Sequence, residues 1–171
     1  RIIDFWRNEF MDKHLNIAFI GCGDLSTGLV KGLLASGYPK EKIWATNRSA
    51  EKNKLLHESL GIHASIDNHD AVKNSEVIVL GVLPQQMQLL AKDIALIVKK
   101  NKPLIISVAI GISVEMLSRW LGGNAAIVRS MPNTPALVSA AATGLYASTL
   151  VTESQKAFAE SLHRAVGIVT W

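Results

Sequence analysis

The sequence predicts an α/β domain with a doubly wound, mostly parallel sheet covered by helices on both faces. Three observations carry this expectation. Apolar runs of strand length alternate with longer segments of helical period along the chain. The strand runs are apolar at consecutive positions, as strands buried on both faces must be. The first run passes through glycines directly into a helical pattern, in "NIAFIGCGDLSTGLVKGLLASG". With 171 residues, a single domain with its own core is expected. Right-handed crossovers between parallel strands complete the topology.

The elements follow in order. "NIAFIG" is a buried strand, and the next helix sets Leu25, Leu29, Leu33 and Leu34 on one face. "EKIWAT" is the second strand, followed by a helix from Ala50 to Leu60 that Gly61 ends. "GIHAS" is a short strand and "SEVIVLGV" a stronger one. Pro84 has no N–H to lose, so it suits the first turn of a helix running to about Lys100. That helix carries the stripe Met87, Leu90, Ala91, Ile94, Ile97 and Val98. "PLIISVA" is another apolar strand, and "SVEMLSRWLGG" reads as a helix capped by Ser113 and stopped by glycines. "AAIVRS", the proline-bracketed loop "MPNTPA", "ATGLYAS", a helix from Glu153 to Ala165 and the strand "GIVTW" complete the chain.

Composition narrows the class. Apolar residues make up 49% and charged residues 19%, as in ordinary globular proteins. No apolar run approaches the roughly 20 residues of a membrane-spanning helix, so no membrane partner is expected. "RIIDFWRNEF" lacks the apolar region and cleavage site of a signal peptide. Met11 behind it reads as the natural start, which makes residues 1–10 an added or disordered extension outside the domain. The single cysteine, Cys22, rules out an internal disulfide and fits a reducing cytoplasm. The net charge of +4 suits a small anionic ligand. Its densest lysines, Lys92, Lys99, Lys100 and Lys102, gather at one helix end without aromatic partners, which argues against nucleic acid.

Gly21, Gly23 and Ser26 occupy the three positions of G-x-G-x-x-G/A. The first needs an unhindered turn, the second lets backbone approach a diphosphate, and the third lets the helix pack closely on the strand. The helix N-terminus adds partial positive charge at the same spot. A structural turn is the bland alternative, but the loop stands after the first strand and before the first helix, the Rossmann-like context. Cys22 reads as a small filler, not a nucleophile.

The end of the second strand, "WATNRSAEK", bears on which dinucleotide fits. Where NAD binders place an acid for the ribose hydroxyls, this chain has Asn47, Arg48 and Ser49. Arg48 can pair with a 2′-phosphate, and Asn47 and Ser49 can donate hydrogen bonds. The simpler reading, a turn at Asn47 and a helix cap at Ser49, is compatible. NADP(H) is therefore favoured over NAD(H), and residues 11–171 read as one NADP-binding Rossmann domain.

With "FIGCGDLSTGLVKGL", "VLGVLPQQM", "IISVAIGIS" and above all "IVRSMPNTPALV" in this order and spacing, the chain resembles the N-terminal domain of pyrroline-5-carboxylate reductases. The similarity covers Leu15 to Trp171. Such enzymes reduce the ring C=N of 1-pyrroline-5-carboxylate to L-proline with hydride from NAD(P)H, in proline biosynthesis. The resemblance implies a pyrophosphate loop at Ile20, Gly21, Cys22, Gly23, Asp24 and Leu25, and an adenosine-phosphate site at Asn47, Arg48 and Ser49. It implies that Asn68 lies on the adenosine side and that Gly81, Val82, Leu83 and Pro84 form a further cofactor loop. Val108, Ala109 and Ile110 match the segment beside the nicotinamide ribose. Met131, Pro132, Asn133, Thr134 and Pro135 border the nicotinamide and the imine substrate.

Two positions depart from the family pattern. Leu83 stands where lysine is common, and Ile110 stands where alanine is usual and is expected to crowd the cofactor. Family members continue into a helical domain that forms the dimer and part of the substrate pocket. Without it an apolar face around the last strand is expected to be exposed and to drive association into a homo-oligomer. No general acid is nominated. His57, His63 and His69, six residues apart, suggest neither a triad nor a metal site, and Asp93 and Glu115 read as helix-surface charges. Two alternatives stay open, a non-catalytic NADPH-binding module and another NADP-linked reductase with this fold.

Overall fold

The computed structural model describes residues 14–133 and 141–171. Eight strands form one sheet among these residues: β1 (Ile17–Ile20), β2 (Ile43–Thr46), β3 (His63–Ser65), β4 (Val77–Leu80), β5 (Leu104–Ser107), β6 (Ala126–Pro132), β7 (Ala141–Ala147) and β8 (Gly167–Thr170). Their order across the sheet is β3-β2-β1-β4-β5-β6-β7-β8. The first six in sequence run parallel, whereas β7 is antiparallel to β6 and β8 runs with β7. The helices are α1 (Asp24–Ala35), α2 (Ala50–Leu60), α3 (Asn68–Lys73), α4 (Pro84–Asn101), α5 (Val114–Trp120) and α6 (Glu153–Arg164).

Strand alternation divides the core in two. Ile17 and Phe19 point to one side, where Leu29, Val30 and Leu33 of α1 and Phe158 and Leu162 of α6 cover them. Ala18 and Ile20 point to the other, with Met87, Leu90 and Ile94 of α4 and Leu117 of α5. Burial on both faces explains why the central strands β1, β4 and β5 carry no polar alternation.

The doubly wound prediction stands, with local corrections. Lys40–Lys42 form a 3₁₀ turn, so the second strand starts at Ile43 and not within "EK". The helix α3 was not foreseen. It is only six residues long and depends on the Asp67 side chain accepting from the Asp70 amide, a cap that gives too little periodicity to read. Met131 and Pro132, expected in a loop, are the last residues of β6. Proline is tolerated there because β6 gives up its parallel neighbour β5 at Arg129 and continues only against β7.

Candidate functional site

Parallel strands in register bring their carboxyl ends to one level. Ile20 lies beside Thr46 and Leu80, Leu80 beside Ser107, and Ser107 beside Arg129. The segments after β1, β2, β4 and β5 therefore form one crest, the edge where open α/β sheets bind ligands.

At the centre of the crest the chain turns at Gly21, whose φ is +76°. Its amide and that of Cys22 both donate to the Thr46 carbonyl, at 3.0 and 2.9 Å. A Cβ on Gly21 would lie 2.9 Å from the Val82 amide nitrogen, and one on Gly81 would lie 2.9 Å from the Gly21 carbonyl oxygen. Backbone meets backbone here, so neither position accepts a side chain. Gly81 would also put its Cβ 2.5 Å from Ser26 Oγ. The small third residue of the motif thus packs against the end of β4, and α1 comes close to the sheet. Gly23 is the N-cap of α1, with no side-chain cap and open space where its Cβ would be. The first turn of a 12-residue helix so presents uncapped amides to an open cradle, which fits a diphosphate. Cys22 is buried, and desolvation pushes its thiol up to about 11, against a weaker pull from Thr27. It is a neutral filler.

On the β2 side, Thr46 Oγ1 donates to Asn68 Oδ1 at 2.6 Å, which ties the strand end to the start of α3. The Asn47 carbonyl accepts from Asn53 Nδ2 at 2.8 Å, while the Asn47 side-chain amide nitrogen is buried without a partner. Ser49 caps α2 by accepting from the Lys52 amide, so the simpler reading of that residue holds. Arg48 is exposed.

Beyond β4, Leu83 is the uncapped N-cap of α4 and Pro84 its first residue. The Leu83 and Ile110 side chains are 63% and 81% exposed, so neither is packed into the fold. Val108 donates to the Leu80 carbonyl and Ala109 to Ser107 Oγ, which fixes the segment after β5. Met131 is exposed at the end of β6, and Asn133 exchanges hydrogen bonds with Ala142 of β7 through its amide and its side-chain oxygen. Thr134 and Pro135 lie outside the described residues.

The fold therefore gathers the expected positions from Ile20 to Asn133 along one edge. A cavity of about 450 Å³ lies elsewhere, at the opposite ends of β4 and β5, lined by Ser75, Glu76, Lys102 and Phe158, and includes none of them. Among the described residues no group of three or more His, Cys, Asp or Glu could hold a metal ion, and no helix is long and apolar enough to cross a membrane.

The family described as NADP oxidoreductase, coenzyme F420-dependent, matches residues 16–111, from the start of β1 to the loop after β5. The chain belongs to this family. The match covers the glycine loop, the β2 end and the two further crest segments of the fold. Over a longer span the chain is similar to the N-terminal part of pyrroline-5-carboxylate reductases. It is 42% identical over 159 residues to that of Vibrio alginolyticus, a match covering 93% of this chain and 58% of the relative. It is 40% identical over 155 residues to that of Pseudomonas aeruginosa, covering 91% and 56%. The solved structure of a pyrroline-5-carboxylate reductase from Coxiella burnetii superposes with a TM-score of 0.90 at 43% identity, covering 92% of this chain and 58% of that one. The chain thus spans under two thirds of the length of these relatives.

Within this family domain, sequence reasoning missed a buried pair. Ser130 Oγ lies 2.7 Å from His163 Nε2, and His163 Nδ1 lies 2.8 Å from the Ala159 carbonyl. The signal was available, because His163 follows Ala159 by four residues on the face of α6 that also buries Phe158 and Leu162. The three histidines spaced six residues apart have local roles: His57 meets the Ile62 carbonyl, His63 stacks on Trp44, and His69 pairs with Asp93. A second residue missed, Gln86, lies beside Arg48.

Proposed function

We propose that this chain is the NADPH-binding part of a pyrroline-5-carboxylate reductase, which reduces 1-pyrroline-5-carboxylate to L-proline in proline biosynthesis. The observation that carries the proposal is the uncapped, backbone-lined cradle at Gly21, Gly23 and Gly81, joined to the similarity over nine-tenths of the chain. In this reading residues 11–171 form the NADP-binding domain.

Bound NADPH would supply the hydride that adds to the imine carbon while the ring nitrogen takes a proton. This chain's work is then positioning. Amides of the first turn of α1, at Asp24 and Leu25, hold the diphosphate, with Ile20, Gly21, Cys22 and Gly23 shaping the turn that leads to them. Asn47, Arg48 and Ser49 take the 2′-phosphate, and Asn68 borders the adenosine. Gly81, Val82, Leu83 and Pro84, with Val108, Ala109 and Ile110, line the path to the nicotinamide, and Met131, Pro132, Asn133, Thr134 and Pro135 wall the substrate. The exposed apolar side chains Ile168 and Trp171 at the last strand support association of copies through that face. The single buried free thiol suits a cytoplasmic protein.

A second reading, binding without turnover by this chain alone, is favoured by the crest itself. Its titratable side chains among the described site residues are Cys22, Asp24 and Arg48, and burial keeps the Cys22 proton fixed. The exposed Leu83 and Ile110 would suit a reductase for a different imine or carbonyl substrate. NADPH oxidation by the purified chain with 1-pyrroline-5-carboxylate, with cofactor binding measured in the same sample, separates these readings. Proline formation supports the reductase, intact binding without turnover supports the binding module, and turnover only with another substrate supports the third.

A further inference from the structure

Arg48 and Gln86 stand on opposite sides of the glycine loop. Arg48 follows β2, Gln86 lies in the first turn of α4 after β4, and β1 runs between those two strands. With its amide oxygen turned toward the guanidinium, Gln86 accepts from both terminal nitrogens of Arg48, at 3.0 and 3.3 Å. The backbone of Gln86 is fixed by donation to the Leu83 carbonyl at 2.9 Å, and its side chain is half-buried, whereas Arg48 is exposed. An exposed arginine samples many rotamers, and holding it costs side-chain entropy. An acceptor on a helical first turn meets that cost before any ligand arrives.

The stereochemistry of the fork matters. A guanidinium has five N–H groups in one plane. One oxygen shared between the two terminal nitrogens uses the outer edge and leaves the edge formed by Nε and one terminal nitrogen free. That edge matches a phosphate bidentately.

We propose that Gln86 is a positioning residue for cofactor choice: it holds Arg48 across the crest so that the free edge of the guanidinium receives the 2′-phosphate of NADP(H). The inference rests on the dinucleotide reading above and adds to it a residue outside the glycine loop and the β2 end. Because Gln86 acts through Arg48, it affects only ligands bearing that phosphate.

Calorimetric titration of the full chain with adenosine 2′,5′-bisphosphate and with 5′-ADP tests this without catalysis. Gln86→Leu is expected to weaken the bisphosphate by about three- to tenfold, the net worth of one ordinary hydrogen bond, and to leave 5′-ADP unchanged. Gln86→Glu is expected to lose more, because its carboxylate occupies Arg48 and repels the phosphate. Equal losses for both nucleotides, an unchanged bisphosphate affinity, or tighter bisphosphate binding by Gln86→Leu would each overturn the assignment to Gln86 alone. A wild-type chain that binds neither nucleotide nor NADPH would overturn the dinucleotide reading, and this assignment with it.

Discussion

Ser130 and His163 are joined at 2.7 Å between β6 and α6, with almost no surface of either reaching solvent. Since the Ala159 carbonyl can only accept, His163 Nδ1 carries the proton, and the Ser130 hydroxyl donates to Nε2. Burial pulls the imidazole down to about 4, the Ala159 contact opposing it weakly. The ring is therefore neutral near pH 7. The pair fastens the strand that ends in Met131 and Pro132 to the helix behind it.

This pair predicts the acid limb of stability. The unfolded chain protonates His163 near its ordinary value of 6.5 and the folded chain near 4. Between those values the unfolded state binds more protons, so stability rises with pH. The contribution is complete above 6.5 and is lost as pH falls through 4, amounting to about 3 kcal/mol. Urea unfolding from neutral to acid pH measures it. The double variant Ser130→Ala/His163→Leu should flatten that limb, and an unchanged limb would show that other groups produce it.

Removing one partner should be worse than removing both. Ser130→Ala leaves His163 Nε2 buried without a donor and should cost about 1–3 kcal/mol. The double variant should lie closer to wild type in chemical denaturation. If the single variant proves the more stable of the two, the hydrogen bond is not what holds this contact.

On the proposed assignment, Arg48→Glu should weaken NADPH binding at least tenfold more than NADH binding, since a carboxylate there would repel the 2′-phosphate that the guanidinium would pair with. Fluorescence titration of the two reduced cofactors reads the difference. Equal losses would remove Arg48 from the 2′-phosphate site.

Gly21→Ala should abolish measurable dinucleotide binding and destabilise the fold by about 1–3 kcal/mol. Its φ of +76° is costly for alanine, and the added methyl meets the Val82 amide at 2.9 Å. Gly23→Ala, with open space in place of that contact, should leave stability nearly unchanged while weakening binding. A Gly21→Ala protein with wild-type affinity would mean that the loop does not approach a ligand.

Cys22 should resist thiol–disulfide exchange in the native protein near pH 8 and react only on unfolding. With its thiol at about 11, only about a thousandth is thiolate there. Rapid native labelling would contradict its burial.

Much of this was legible in the residues. Consecutive apolar strands, the ends of α2 and the Ser113 cap follow from local rules, and the structure reproduces each. The glycine loop could be placed because its chemistry is local: a turn, a close approach and a helix start within six residues. The helix α3 and the extension of β6 through Pro132 were not legible. One is too short for periodicity, and the other depends on a partner strand that arrives from later in the chain. The reversal of β7 escaped for the same reason, since strand direction is a property of the pairing and not of the run "ATGLYAS".

The sequence by itself determined the alternation of strands and helices, the two-faced core, the glycine turn at the start of α1 and the similarity to pyrroline-5-carboxylate reductases. Apolar periodicity and glycine stereochemistry act over a few residues, so they can be read one segment at a time. Tertiary structure alone brought Gly81 against Ser26, Gln86 to Arg48, and Ser130 to His163. Those pairs are separated by tens of residues in the chain. Their meeting depends on the order in which strands assemble into the sheet, because only that order sets which carboxyl ends, and which first turns of helices, stand side by side.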